Sequence, residues 1–290
     1  MRVRKVLLIY KKSARRIYPL RRGDRISLSR RGNEFIQRDL KRIQAAHLVH
    51  QRTLEKVRRL LREKGVRFKA VYRARVTDYS SYDGVISVGG DGTFLEAAHR
   101  IRSQWILGVN SDPARSAGSF CAANGSNFGK ILDRILKGNP RIQILHRLQL
   151  KLNEKPLEIP VLNDILITHR KPAAMSRYWI RVRGRREEQR SSGLWIATAA
   201  GSTGAIRSAG GRRLPRESRL LQYRPRELYQ GPGHRYRLTG GVIPSNRPVQ
   251  IGSLMRGGFI CVDGEHWTFP FQYGDRLTLQ GAPYPLRVVR

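Results

Sequence analysis

Acidic residues are scarce in this chain: 21 Asp and Glu stand against 57 Lys and Arg over 290 residues, a formal net charge of +36. A surface so short of carboxylates attracts nucleotides, polyphosphate, nucleic acid or acidic lipid, and says nothing reliable about fold. Cysteine is nearly absent as well. Cys121 and Cys261 are too few and too far apart in sequence for a disulfide framework or a thiolate metal cluster, which fits a reducing compartment. No apolar run is long enough to cross a membrane as a helix. His-Glu-x-x-His and Gly-x-Ser-x-Gly are both missing, so zinc hydrolysis and the serine-hydrolase elbow lack support. Aromatics make up 8% of the chain and are not interleaved with the arginines, and no zinc-finger spacing or recognition helix is visible. Composition therefore predicts no specific nucleic-acid partner and no membrane partner.

What is present suffices for one large domain or two ordinary ones, with 40% hydrophobic residues to build a core. Lys5 to Tyr10 reads as the first strand of an α/β sheet. The N-terminus is basic and acid-poor in the manner of a transit peptide, but the strand at Val3 to Tyr10 favours a mature start and a cytoplasmic protein. Lys11 to Gly32 is expected to be a basic surface loop. From Ile36 through Leu40, Ile43, His47, Leu54, Val57 and Leu61 the spacing predicts a long amphipathic helix ended by Gly65, with a strand following over Val66 to Tyr72. His47 and His50 on that helix are expected to be packing or surface residues. Trp105 to Asn110 reads as a further buried strand. Alternating strands and helices imply a parallel sheet.

The character changes at Gly138-Asn139-Pro140. Ile142, Ile144, Leu148, Leu150 and Leu152 alternate with polar residues, as do later segments, the mark of half-buried strands. Arg212 to Gly241, rich in Arg, Pro and Gly, is expected to form long loops. The predicted organisation is an α/β Rossmann-like nucleotide-binding domain over 1–140 and a mainly antiparallel β-sandwich domain over 141–270 that binds the dinucleotide. A C-terminal segment, 271–290, is expected to return to the first domain.

Gly89-Gly90-Asp91-Gly92-Thr93 is the most informative stretch. It joins the apolar run Val85 to Val88 to a helical pattern carrying Phe94, Ala97, Ala98 and Ile101 on one face. Glycines let the backbone approach an anion, and the start of a helix offers unpaired N–H groups to phosphate. Asp91 then lies where catalysis or metal binding would use a carboxylate. The turn is neither Gly-x-Gly-x-x-Gly nor a Walker A loop, and taken alone it is equally an ordinary βα connection. Two later stretches sharpen it. Asn163-Asp164 opens a strand and can bond sugar hydroxyls or an adenine edge, or simply form a turn. Ala199-Ala200-Gly201-Ser202-Thr203-Gly204-Ala205, followed by Ser208-Ala209-Gly210-Gly211, gathers small residues and hydroxyls where a ligand can lie against backbone, or where a loop needs flexibility. His99 is expected to point along its helix, and His169, at the end of the Asn-Asp strand, is a minor candidate for ligand contact.

In this order the three stretches resemble the NAD kinase family, with Asn110 and Asp263-Gly264 also matching. The resemblance runs from about Val85 to Gly264. Leu162-Asn163-Asp164-Ile165-Leu166-Ile167 and Ser191-Ser192-Gly193-Leu194 are most similar to its NADH kinase and mitochondrial NAD kinase branch. Departures fall at Ala199, Ser192, Gly204 and Ala205, where the family often has Pro, Asp, Ala and Tyr.

The resemblance implies transfer of the terminal phosphoryl group of ATP, or in some members polyphosphate, to the adenosine 2′-hydroxyl of NAD or NADH. It further implies a divalent metal such as Mg²⁺ and a homodimer or homotetramer. On that basis Asp91 is the candidate catalytic base, and Gly90, Gly92 and Thr93 the phosphate turn. Asn110, Asn163, Asp164, Ser202, Thr203, Ser208 and Asp263 are the remaining candidates for nucleotide contact. No protein residue is assigned to the metal, which keeps waters and prefers few protein ligands. Lipid kinases of the diacylglycerol or sphingosine type share the Gly-Gly-Asp-Gly-Thr turn and are the alternative; a non-catalytic polyanion binder is a second rival, supported by charge alone.

Overall fold

The computed structural model describes residues 3–13, 30–75, 78–233 and 235–290, with side chains in the first helix described from residue 37. Most of the loop expected over Lys11 to Gly32 lies outside the described residues. The chain divides into two units, residues 1–143 with 287–290, and residues 144–286.

In the first unit, β1 (Lys5–Tyr10) buries Val6, Leu7, Leu8 and Ile9 in succession, the pattern of a strand covered on both faces. α1 (Arg30–Glu63) turns Leu54, Val57 and Leu61 inward. It ends in a Schellman motif: Val66 N–H donates to the Leu61 carbonyl and Gly65 N–H to that of Arg62, with Gly65 at φ +67°. The chain continues through β2 (Arg67–Tyr72), β3 (Gly84–Gly89), α2 (Asp91–Ala98), β4 (Trp105–Asn110), β5 (Cys121–Asn124), α3 (Phe128–Leu136) and β6 (Ile142–Leu145). The sheet order is β2-β1-β3-β4, then β19 (Leu286–Val289) and β6, with β5 also on β4. β1 to β5 pair in parallel, and β19 joins β4 in parallel at Trp105 and Ile106.

The second unit is a sandwich. It contains β7 (Leu148–Leu152), β8 (Lys155–Pro156), β9 (Asp164–His169), β10 (Ser176–Val182), β11 (Arg185–Ser191), β12 (Gly193–Thr198) and the single turn α4 (Ala205–Ser208). β13 (Leu220–Arg226), β14 (Gly241–Pro244), β15 (Val249–Ser253), β16 (Gly258–Val262), β17 (Trp267–Phe271) and β18 (Arg276–Gly281) complete it. One sheet runs β11-β10-β15-β18-β7-β8 and the other β14-β13-β12-β9-β16-β17. Their inner faces meet in one core: Leu150, Ile180, Ile251 and Leu279 come from the first sheet, and Ile167, Ile196, Leu221 and Ile260 from the second.

The fold is thus the expected α/β unit followed by an antiparallel β sandwich. Two particulars differ from the sequence reading. The stretch from Arg212 to Gly241 is not loop throughout: β13 crosses it, paired with β12 on one side and β14 on the other. Its Leu221 and Tyr223 are core residues hidden among arginines and prolines. The segment expected to leave the β domain at 271 stays in it through β18, because Leu277 and Leu279 close the sandwich core; only 287–290 belong to the first unit.

Candidate active site

The order β2-β1-β3-β4 reverses direction between β1 and β3, and open α/β sheets bind ligands in the crevice beyond the strand ends at such a point. Four segments emerge there: Lys11 after β1, Arg73 after β2, Gly89 to Gly92 after β3, and Asn110 to Asp112 after β4. Gly90 is the N-cap of α2 in an extended conformation, without a side-chain cap, and Gly92 is exposed. Thr93 is buried, and its side chain fills the space a Cβ at Gly89 would need. Thr93 therefore shapes the turn rather than reaching solvent.

Asp91 is half-buried, and its carboxylate is engaged on both oxygens. Phe120 N–H donates to Oδ1 at 2.8 Å and Ser119 N–H to Oδ2 at 2.9 Å. Each oxygen retains a lone pair. Asn110 lies beneath the same loop: its Nδ2 donates to the Ser116 carbonyl at 2.9 Å and its Oδ1 accepts from Asp112 N–H at 3.1 Å. Asn110 is 7% exposed, so it organises residues 110–118 from within.

Cations gather around the turn. An Nη of Arg73 would lie 3.6 Å from a Cβ placed on Gly92, and its Nε pairs with Glu96 of α2 at 3.2 Å. Lys11 is partly buried; desolvation pulls its ammonium below the usual lysine range, and Arg73 adds to this while Asp112 opposes it. Asp112 is itself held by both Oδ atoms to Arg115, at 3.1 and 3.0 Å. Behind Lys11, His50 bridges its carbonyl and the Ser111 hydroxyl, each at 2.9 Å. The nitrogen on the carbonyl must be the donor, so in the neutral ring the other accepts from Ser111. His50 is thus a packing residue, as expected.

In the second unit, Asp263 accepts backbone N–H groups from Leu162, Asn163 and Asp164 at 2.9, 2.7 and 3.0 Å. That nest fixes the entry to β9. Asn163 Nδ2 donates to Asp164 Oδ2 at 2.9 Å. Asp164 is 5% exposed; burial and then the nearby Asp263 charge push its carboxyl up to about 7. Gly201 sits so close to the Asn163 backbone that no Cβ fits, and Gly204 lies against the Asn163 and Asp164 side chains. The Asn-Asp pair and the Gly-Ser-Thr loop, 38 residues apart from Asn163 to Gly201, are therefore one structure. Thr203 and Ser208 are exposed on it. Ser202 is not: its hydroxyl donates to the Ala199 carbonyl and accepts from Leu214 N–H, with no exposure, so it supports the loop instead of facing a ligand. His169 closes the far end of β9, about 17 Å from Asp164 at strand rise, and lines a separate cavity with Thr168, Ser192 and Cys261.

Comparison with known proteins accords with these features. No family model matches the chain. The probable NADH kinase of Oryza sativa subsp. japonica is 36% identical over 264 residues, 83% of this chain and 81% of that protein. The NADH kinase of Arabidopsis thaliana is 34% identical over 271 residues, 83% of each. The chain belongs to the NAD kinase family. Among solved structures, an NAD kinase from Archaeoglobus fulgidus in complex with ATP shares the fold at TM-score 0.69 and 21% identity, covering 99% of this chain and 93% of that one. The yeast NADH kinase complexed with NADH shares it at TM-score 0.71 and 13% identity, covering 100% and 84%.

Lys11, Arg73 and Asp112 stand around the glycine turn and were not among the candidates nominated from the sequence. Their signal was positional: each stands within two residues of the carboxyl end of a parallel strand of the first sheet, β1, β2 or β4. Among the described residues no three His, Cys, Asp or Glu side chains gather as a metal cage.

Proposed function

We propose that this protein is an NAD(H) kinase, transferring the terminal phosphoryl group of ATP to the adenosine 2′-hydroxyl of NAD or NADH. The observation that carries the reading is the uncapped glycine turn at the sheet reversal, flanked by Lys11 and Arg73, in a chain of this family. Phosphoryl transfer asks mainly for positioning and charge neutralisation. Gly90 and Gly92 leave backbone open to the donor phosphates, and Lys11 and Arg73 supply positive charge beside them. Asn163, Asp164 and Thr203 take the adenosine part of the acceptor, held in shape by Asp263, Gly201 and Ser202. Asn110 sets the loop on which Asp91 rests.

Asp91 accepts the proton of the 2′-hydroxyl. Its two backbone bonds orient the carboxylate, and a loose transition state in which the proton leaves late asks for position more than for base strength. A divalent cation such as Mg²⁺ neutralises phosphate charge when bound. The described residues build no cage for it, and a cation carried on the donor phosphates needs none. A homodimer or homotetramer, a cytoplasmic location and use of polyphosphate belong to the same proposal. No helix among the described residues is long and apolar enough to cross a membrane.

The test is a matrix of ATP and polyphosphate against NAD, NADH and diacylglycerol, with and without EDTA, on the pure protein. Phosphorylation of NAD or NADH supports the reading; activity confined to the lipid overturns it. Light scattering of the same sample reads the assembly.

A further inference from the structure

The outer face of the sheet β11-β10-β15-β18-β7 is built of cations. In β10 the core takes Tyr178, Ile180 and Val182, so Arg177, Trp179 and Arg181 face away from it. The register sets Arg190 opposite Arg177, Glu188 opposite Trp179 and Arg186 opposite Arg181. On the other side Trp179 pairs with Gly252, and Gly252 with Arg276; Arg181 pairs with Gln250, Gln250 with Thr278 and Thr278 with Lys151. Arg177, Arg181, Arg186, Arg190, Arg276 and Lys151 thus share one face with a single acid, Glu188. The five strands span about 19 Å at ordinary strand spacing.

At the centre lies Trp179. Gly252 provides the space in which its indole rests on the sheet, since a Cβ there would run into the ring. The Arg186 guanidinium stacks 4.5 Å from the Trp179 ring centre and that of Arg276 stands 5.9 Å away. Among the described residues none of the five arginine heads forms an ion pair. The sequence reading found no aromatic interleaved with arginines. The fold corrects it, because strand alternation and cross-strand register bring together residues that lie up to 125 positions apart, from Lys151 to Arg276.

We propose that this face binds single-stranded nucleic acid without sequence preference. The partner follows from the chemistry. The rows of guanidinium groups complement a phosphate chain, and a flat indole with stacked guanidinium planes offers bases a surface. An acidic membrane surface would pair with the same cations, but it offers no planar group to stack on the indole and guanidinium planes. None of these residues takes part in the proposed phosphoryl transfer, so the inference stands or falls separately from that reading.

The experiment measures a labelled 20-nucleotide oligouridine by fluorescence anisotropy over a salt series. Six phosphate contacts on a single strand give a slope of about −4 in log K against log salt. The double variant R181E/R186E is expected to bind at least tenfold more weakly with a flatter slope. R67E/R102E, an equal change of charge on exposed positions of the other unit, is expected to change affinity less than twofold. W179A is expected to weaken oligouridine binding about tenfold while leaving polyphosphate binding unchanged. Circular dichroism melts of all three verify folding, and the arginine pair decides the matter if W179A unfolds. Equal losses from the two charge-reversal pairs would overturn the proposal, as would polyphosphate or anionic phosphatidylglycerol vesicles competing as well as the oligonucleotide at equal charge.

Discussion

Asp164 and Asp263 are joined by their backbones and set against each other by their charges. Asp263 N–H donates to the Asp164 carbonyl at 2.8 Å, and Asp164 N–H donates back to the Asp263 carboxylate at 3.0 Å. Asp263 spends its carboxylate on three N–H groups, whereas Asp164 receives one bond from Asn163 and is buried. The same geometry that fixes the entry to β9 therefore makes Asp164 the reluctant anion of the pair.

This asymmetry predicts a pH dependence of stability. Burial and the Asp263 charge raise the Asp164 carboxyl from 3.8 to about 7, so the folded state holds this proton more tightly than the unfolded state. Stability is then greatest below the unfolded value, falls as pH rises from about 4 to about 7, and is level above. The loss is on the order of 4 kcal/mol at 1.36 kcal/mol per pH unit. Asp164→Asn should flatten that part of the profile and leave the variant the more stable protein at pH 8. Urea titrations of both proteins between pH 5 and 8 measure it, and parallel profiles would show that Asp164 ionises freely.

Gly201→Ala should separate structure from composition in the Gly-Ser-Thr loop. The methyl would collide with the Asn163 backbone carbonyl, which is pinned by the Asp263 nest and cannot retreat. Overpacking against fixed backbone costs about 3 kcal/mol. The thermal midpoint should fall, and the KM for the dinucleotide should rise more than that for ATP. Gly129→Ala, where the methyl would make only an ordinary contact with the Leu60 side chain at 3.6 Å, serves as the control. Equal effects on both substrates would mean that the loop does not serve the acceptor.

Much of this arrangement was legible in the residues, and the rest was hidden for physical reasons. Val85 to Val88 advertise a strand buried on both faces, and the glycines after it mark a tight turn into a helix. The four-and-three spacing from Ile36 to Leu61 marks α1. By contrast β11 turns Glu187, Gln189 and Ser191 toward the interior, so its pattern is polar on both sides. Its cost is met by bonds such as Gln189 Nε2 to the Leu238 carbonyl, 49 residues away. Local periodicity holds no trace of such a partner. The same applies to the site: Asp91 meets Ser119 and Phe120, and Asp263 meets Leu162 to Asp164, across separations that only the fold closes. Residue type nominated both acids as ligand groups, but only tertiary geometry shows how their oxygens are already used.

Lys11 and Arg73 should govern the donor. Each charge-assisted bond to phosphate contributes about 1.5–3 kcal/mol, so Lys11→Met and Arg73→Met should each raise the KM for ATP about tenfold or more while changing that for NAD less than twofold. Because burial lowers the Lys11 pKa, its contribution should fade at a lower alkaline pH than an ordinary lysine would allow. In wild type the KM for ATP should rise there, and in Lys11→Met it should not. Steady-state kinetics at fixed acceptor between pH 7 and 10 provide the comparison; an identical rise in both proteins would remove Lys11 from the donor site.

Asp91→Asn puts the two roles of that carboxylate in competition. As the proton acceptor, Asp91 contributes through basicity, and losing it should lower kcat by about 10²–10⁴ with little change in either KM. As the anchor of Ser119 and Phe120, it contributes through two accepted N–H bonds. An amide can accept only one and turns its own NH₂ toward the other, leaving a donor facing a donor at a cost of about 1–3 kcal/mol. The loop, rather than the chemistry, would then fail. Hydrogen exchange at the Ser119 and Phe120 amides separates the cases. A slow variant with both amides still protected locates the defect in proton transfer. A slow variant whose two amides exchange freely, with full rate restored by excess acceptor, makes Asp91 a support for the loop. A variant at full rate shows that the 2′-hydroxyl gives its proton elsewhere, and the base assignment is then wrong while the fold, the phosphate turn and the family all stand.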